Sequence, residues 1–373
     1  MKLKIKQNVL MNYLNYAIRG VSSKNLIPIL NCIKFELTDE GLYLTSTDNE
    51  ISIKTFISSN KIEKIDSLGE IVVSGRFIYD IIKKLPGETI DLEEVMDSKL
   101  YITTKNSSFT LNCNEVNDFP NIKFDEVNDP IIINNKMIKN IINETIFATS
   151  TQESRPALTG LNIKIENDKM ECTATDSFRL AKKIIKIDNT VENNINIIIP
   201  TRSLNELTKI IEDNDEKIEL HIFENKVLFK TDNIMLISSL INGTYPDTSK
   251  LIPEDFETIL TVNLNDYFNA IDRASLLTNE SDKNTIVLES NKDEAIISSN
   301  IPEIGNVKEN IKINNSKNSE INIAFSSKYM MDAIKTFNSD EIELCFNGDI
   351  KPIIIKSKED NSLIQLIVPI RTY

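Results

Sequence analysis

The sequence predicts an α+β fold in which one unit is used three times. Three features point to it: amphipathic helical stretches that recur in pairs, alternating strand patterns between them, and a constant step of 126 residues relating the pairs.

The first helix of each pair shows an apolar stripe at i, i+3/i+4 spacing, the pattern of a helix with one buried face. The stripes are Val9, Leu10, Tyr13, Leu14, Ala17 and Ile18, then Met137, Ile138, Ile141, Ile142 and Ile146, then Leu264, Phe268, Ile271 and Ala274. The second helices begin Arg76-Phe77, Arg202-Ser203 and Lys328-Tyr329. Their basic residues at 76, 202 and 328, their acids Asp80, Glu206 and Asp332, and their lysines 83, 209 and 335 all keep the step. Gly75, Thr201 and Ser327 stand where N-caps are expected. The six helical spans are 8–20, 75–85, 136–148, 201–212, 264–277 and 327–338.

Between the helices, apolar and polar residues alternate as in half-buried strands. Leu42–Asp48 returns as Met170–Asp176 and, more weakly, as Ala295–Asn300; Phe119-Pro120 returns as Tyr245-Pro246. Asn117–Pro130 and Asn242–Pro253 have connector composition. The chain therefore divides into domains 1–126, 127–252 and 253–373, each with two helices and about eight mostly antiparallel strands. Asn310–Asn318 is expected to be a solvated loop.

Rare residues exclude much chemistry. The one histidine, His221, rules out HExxH and any two-histidine zinc site within a chain. Its alternating context, Lys217–Phe223, places it on a solvent-facing strand position. Cys32, Cys113, Cys172 and Cys345 form no CxxC pair and sit in apolar stretches, as small core residues do. Nine glycines are too scattered for GxGxxG or GxxxxGK[ST], so neither nucleotide-cradling loop is present. No catalytic residue, metal ligand or cofactor is indicated, although 56 acids leave a carboxylate-metal enzyme open on composition alone. No run of about 18 apolar residues exists, so no membrane helix is expected. The start, Met1–Lys6, lacks a signal-peptide core, which points to a cytoplasmic chain.

Charge is segregated. The whole chain carries −14, yet the six helical spans hold eleven basic against seven acidic residues, a surplus of four. Lysine-rich helix faces serve solubility; repeated positive helices would also suit a phosphate-facing surface. A repeat-built protein scaffold that never meets DNA is the competing reading, and the acidic total favours it.

Further motifs carry a resemblance. Leu26-Ile27-Pro28-Ile29-Leu30 follows the first helix; Ala174–Ala181 reads ATDSFRLA; Asn242–Asp247 reads NGTYPD; Val368–Tyr373 reads VPIRTY. In this order and spacing the chain resembles, over its whole length, the bacterial sliding clamps, the beta subunits of DNA polymerase III. The resemblance implies a DNA-clamp fold and a head-to-tail homodimer closing into a ring around double-stranded DNA without sequence preference. It implies a non-catalytic processivity role in replication. The implied partners are the replicative polymerase, a clamp loader and repair factors, docking through short linear peptides. It places a partner-peptide pocket at Leu158, Thr175, Ser177, Phe178, Arg179, Leu180, Pro246, Lys250, Leu251, Ile350, Pro352, Val368, Pro369, Ile370 and Arg371. Phe178 stands where the family often has histidine, and Lys250 where it often has arginine; read alone, Phe178 and Leu180 would be core strand residues. DNA contacts are implied at Lys24, Arg76, Gln152, Arg155 and Arg202, and a dimer contact of Phe109 and Leu111 with Leu276 and Leu277.

Overall fold

The computed structural model describes residues 1–22, 26–95, 98–291, 293–315 and 320–371. The first third runs β1 (Lys2–Lys6), α1 (Gln7–Ala17), β2 (Cys32–Leu37), β3 (Gly41–Thr47), β4 (Ile51–Ser58), β5 (Lys64–Ser67), β6 (Gly69–Ser74), α2 (Gly75–Lys84), β7 (Thr89–Val95), β8 (Lys99–Thr103) and β9 (Ser108–Asn114). The second runs β10 (Ile131–Asn134), α3 (Asn135–Thr145), β11 (Gly160–Thr175), β12 (Arg179–Pro200), α4 (Thr201–Thr208), β13 (Lys217–Ile222), β14 (Lys226–Lys230) and β15 (Ile234–Ser239). The third runs β16 (Thr258–Asn263), α5 (Leu264–Ser275), β17 (Thr285–Ser290), β18 (Glu294–Ile301), β19 (Gly305–Lys312), β20 (Asn314–Asn315), β21 (Ile321–Ser326), α6 (Ser327–Ile334), β22 (Glu341–Phe346), β23 (Ile353–Lys356) and β24 (Leu363–Ile367). All six helices form where their spacing predicts. The second third has fewer strands among the described residues because β11 and β12, of 16 and 22 residues, run on where the other thirds break.

Three local expectations are corrected. Gly75, Thr201 and Ser327 are the first helical residues rather than caps; Ser74 and Ser326 hold the N-cap positions of α2 and α6, and the Ser326 hydroxyl accepts the Tyr329 N–H. Most of Asn310–Asn318 that is described is strand. Ile311 faces inward to the core while Asn310 and Lys312 face outward, so the polar composition marks one face. His221 is buried, 1% exposed, because the connector folds over it: its Nδ1 accepts the Val127 N–H at 3.0 Å.

The chain forms two compact units, Met1–Lys136 with Arg202–Leu240, and Met137–Thr201 with Ile241–Tyr373. The first holds a thirteen-stranded sheet in the order β10-β13-β14-β15-β4-β3-β2-β6-β9-β8-β7-β1-β5. Strands of the second third enter it where β15 pairs antiparallel with β4, from Ile234 opposite Thr55 to Ser238 opposite Ile51. Leu10 and Leu14 of α1 and Ile78 and Ile82 of α2 are fully buried over Ile33, Phe35 and Leu42. Each such side chain contributes roughly 1.5–3 kcal/mol. Gly20, just past α1, is required by closeness: a Cβ there would lie 2.3 Å from the Ser46 hydroxyl. Ser46 itself donates to the Ala17 carbonyl, closing the helix end onto β3.

The second unit holds a seven-stranded sheet, β11-β12-β24-β23-β22-β16-β20, and a four-stranded sheet, β19-β18-β17-β21. Here β12 of the second third pairs with β24 of the third, from Arg179 opposite Ile367 to Lys183 opposite Leu363. Tyr267, Ile271, Met330 and Ile334 of α5 and α6 pack against Phe325 and Phe346. Ser299 donates to Ala274 O at 2.7 Å, repeating the Ser46–Ala17 bond.

Candidate peptide pocket and nucleic-acid surface

All fifteen residues of the expected peptide pocket lie in the second unit. Its centre is the β11–β12 turn. The Asp176 carboxylate accepts the N–H groups of Phe178 and Arg179 at 2.9 and 3.0 Å, and Thr175 donates its hydroxyl to Arg179 O at 2.6 Å. Ser177 sits at φ 78°, in the left-handed region, with its N–H on the Thr175 hydroxyl. This geometry puts Phe178 at the tip, 55% exposed, instead of in the core. Leu180, two residues on, is buried and packs with Cys345, Ile354 and Leu366 and with the half-buried Ile252. The same strand therefore supplies an exposed aromatic and a floor.

The C-terminal segment is fastened beside this turn. Val368 donates to Phe178 O at 2.9 Å and Ile370 to Ala324 O at 2.7 Å. Val368 is exposed, Pro369 and Ile370 are half-buried, and Arg371 is exposed. Leu251 and Ile350 are exposed large apolar residues flanking the Leu180 floor in sequence, next to Ile252 and to the Ile353–Lys356 strand. Pro246 and Lys250 are exposed and Pro352 is half-buried. Leu158 packs with Ile198 and Tyr245; burial pushes the Tyr245 phenol well above its ordinary value. Several exposed apolar residues over a buried floor can accept apolar side chains of a bound segment.

Arg179 is engaged within the protein. Its guanidinium pairs with Asp176 at 3.0 Å and Asp332 at 2.8 Å and lies over the Tyr329 ring, 4.4 Å from the centroid. It fixes the turn to α6. This long-range clamp was invisible in the sequence.

Of the residues expected at DNA, Lys24 lies outside the described residues. Gln152 and Arg155 are exposed in the loop after α3, and Arg155 donates to the Ser177 hydroxyl at 3.3 Å. Arg76 is exposed on α2, with Asp80 at 4.0 Å. Arg202, on α4, is held by Asp48 and by Glu50 at 2.8 Å, both from the β3–β4 turn. Its charge is offset before any phosphate arrives. Within the helices as they form there are eight basic and six acidic residues, because Arg19, Lys209, Lys335 and Glu212 fall just outside. Lys84, Lys136 and Lys328 are exposed with no carboxylate in ion-pair range among the described residues. They are among the uncompensated helix cations that the expected DNA contacts leave out, and their position in the helical repeat was the available signal.

Of the dimer residues, Phe109 on β9 is 39% exposed and Leu276, closing α5, is 78% exposed; Leu111 and Leu277 are half-buried.

Glu126, Glu219 and His221 bring one donor atom each within 4.8 Å of one another. The Lys230 ammonium already lies on Glu126 at 2.6 Å and near Glu219 at 3.5 Å. With Nδ1 accepting from Val127, neutral His221 carries its proton on Nε2 and gives it to Glu219. The donors are thus used within the protein.

The fold matches crystal structures of DNA polymerase sliding clamps. That from Bacillus subtilis superposes with a TM-score of 0.95 at 40% identity, and the DNA polymerase III beta chain of Streptococcus pneumoniae with 0.94 at 33%, each over 100% of both chains. The fold thus defines a protein of the sliding-clamp class. Residues 1–123, 132–247 and 249–371 match the N-terminal, central and C-terminal domain families of the DNA polymerase III beta subunit. The beta sliding clamps of Staphylococcus epidermidis and B. subtilis are 42% and 41% identical over the full length of both chains. The chain belongs to the DNA polymerase III beta subunit family.

Proposed function

We propose that two copies of the chain close head to tail into a ring around double-stranded DNA and tether the replicative polymerase, acting in the cytoplasm without catalysis of their own. The domains are 1–126, 127–252 and 253–373. The observation that carries this reading is a pair of free strand edges. Within the chain, successive thirds are joined twice by the same antiparallel pairing, β15 on β4 and β24 on β12. The third instance would need β9 and β19. Among the described residues, 108–112 of β9 pair only with β8, and β19 ends its sheet, paired only with β18. Two such edges on one chain close a dimer by two-fold symmetry and leave no edge for polymerisation.

The register follows from the repeat. Met235 opposite Lys54 becomes Phe109 of one copy opposite Lys308 of the other, and Ile237 opposite Ser52 becomes Leu111 opposite Asn306. Leu276 and Leu277, at the end of α5, supply the apolar cover. Arg202, clamped by the β3–β4 turn, has Arg76 as its counterpart, and the corresponding turn before β19 carries Glu303. Arg76 is thereby read as a junction clamp as well as a cation near DNA.

Lys24, Gln152, Arg155 and the uncompensated helix lysines would face the duplex with modest charge. Retention is topological, so it does not depend on many salt-sensitive phosphate contacts. The pocket around Phe178 would take the short peptides of polymerase, clamp loader and repair factors, raising their effective concentration at DNA. The test is retention after loading. A ring survives high salt on closed circular DNA and runs off once the circle is cut; equal retention on linear DNA would overturn the reading.

A further inference from the structure

Two clefts occupy equivalent places in the repeat. One, of about 430 Å³, lies in the first unit, with Tyr13 and Tyr16 of α1 on one side and Ile210, Ile211 and Ile234 on the other. The second, of about 240 Å³, lies in the second unit, where Glu144 of α3 is lined up with Phe337, Asp360 and Leu363. Strand register relates them: Thr55 stands opposite Ile234 as Lys183 stands opposite Leu363.

In the second cleft, the Lys183 ammonium lies 2.8 Å from both Glu144 and Asp360. Beside the first, opposite its lining residue Ile234, the corresponding residue is a threonine, and Thr55 Oγ1 is buried without a hydrogen-bond partner among the described residues. Glu212, Glu216 and Asp232 line this cleft, and none has a lysine or arginine in ion-pair range among the described residues. Lys61, the one lysine or arginine that lines the cleft among the described residues, donates instead to the Tyr13 hydroxyl at 2.9 Å. Asn135 also lines the cleft and is 2% exposed; its Nδ2 donates to Asn214, while its Oδ1 has no partner. The Glu212 carboxylate is close enough to help burial push the Tyr16 phenol upward.

We propose that the cleft of the first unit binds an alkylammonium, the chemistry shared by a linear polyamine and the side chain of a partner's lysine. Its methylene chain lies against the isoleucine and tyrosine walls, and its N–H donors meet the orphaned Asn135 Oδ1 and the lining carboxylates, as an internal lysine meets carboxylates in the other cleft. The apolar walls and uncompensated acids together select a cation with an apolar stem over a bare ion.

The full-length chain titrated with spermidine in a calorimeter, at constant ionic strength, tests this. One site per chain is expected. Glu212→Gln with Asp232→Asn, both on the surface, should weaken it about tenfold or more, the loss of a charge-assisted hydrogen bond. Thr55→Lys, which brings in an internal ammonium, should abolish it, and the surface pair keeps the test valid should that variant not fold. A parallel titration with an acetylated, amidated lysine peptide separates the sources: binding of spermidine alone assigns a free polyamine, binding of the peptide alone a partner's side chain. No binding of either probe, or affinity unchanged in the variants, would overturn the site.

Discussion

Val368 donates its backbone N–H to the carbonyl of Phe178 at 2.9 Å, so the last described residues of the chain are tied to the tip of the β11–β12 turn. Segments nearly two hundred residues apart meet there, and the proposed pocket depends on that meeting. Deleting Val368–Tyr373 should therefore abolish binding of a glutamine- and Leu-Phe-type peptide, measured by fluorescence anisotropy, while sedimentation still reports the dimer. Full-strength binding by the truncated chain would move the partner site elsewhere.

Phe178 and Leu180 should separate binding from stability. Phe178 is more than half exposed, so Phe178→Ala should leave the melting temperature nearly unchanged and cost about 2 kcal/mol of peptide affinity. Leu180 is buried in a packed cluster, and Leu180→Ala should lower stability by about 2–5 kcal/mol. Equal effects of the two on thermal melting would contradict these placements.

Ring closure should respond to charge reversal. Arg76→Glu is expected to shift the dimer toward monomer in analytical ultracentrifugation, and a second change, Glu303→Arg, to restore it. Leu276→Lys should have the same effect without rescue, since it loads a charge onto apolar cover. Glu303→Arg failing to restore the Arg76→Glu dimer would remove this pair from the interface.

Lys183 compensates two carboxylates, of which Glu144 is buried and Asp360 half-exposed. Lys183→Ala should cost about 3–5 kcal/mol, because it leaves Glu144 buried and unpaired. Burial holds the Glu144 carboxyl above its ordinary value even against the pull of Lys183. A raised acid favours the folded state when protonated, and that stability is lost as pH rises through the folded value. The Lys183→Ala penalty should therefore shrink as pH falls toward about 4, where the unfolded carboxyl also takes its proton. Denaturant unfolding across this range gives the slope; a penalty independent of pH would show that Glu144 is not the group responsible.

The thiols should be inert. Burial pushes Cys172 and Cys345 up to about 12 and Cys113 up to about 11. At pH 8 iodoacetamide should label these slowly in the native chain and quickly after unfolding. Mass spectrometry scores the sites, and rapid native labelling of Cys172 or Cys345 would place them nearer solvent.

Helices were legible because their signal is local. The i, i+3/i+4 stripes and the 126-residue step hold whatever the chain packs against, and the repeated motifs were enough to indicate the family. Strand faces were legible wherever alternation was clean; they were misread where one face was amide-rich, as at Asn310–Lys312, and at His221, whose cover is a connector remote in sequence. The pocket residues could be named by resemblance, but nothing local says that Phe178 is exposed while Leu180 is its floor. That difference comes from the Asp176 turn and from β24 pairing alongside.

What the sequence by itself determined is the unit, its number of copies and the surplus of positive charge on its helices. Those are set by backbone periodicity and side-chain chemistry within a few residues. Only the tertiary structure decided which charges are spent. Arg202 on Asp48 and Glu50, Arg179 on Asp332, and Lys183 between Glu144 and Asp360 are pairs formed across 150 residues or more in the first two cases and across the strand junctions in the last. Coulomb energy depends on distance in space and on burial, and neither can be read from distance along the chain.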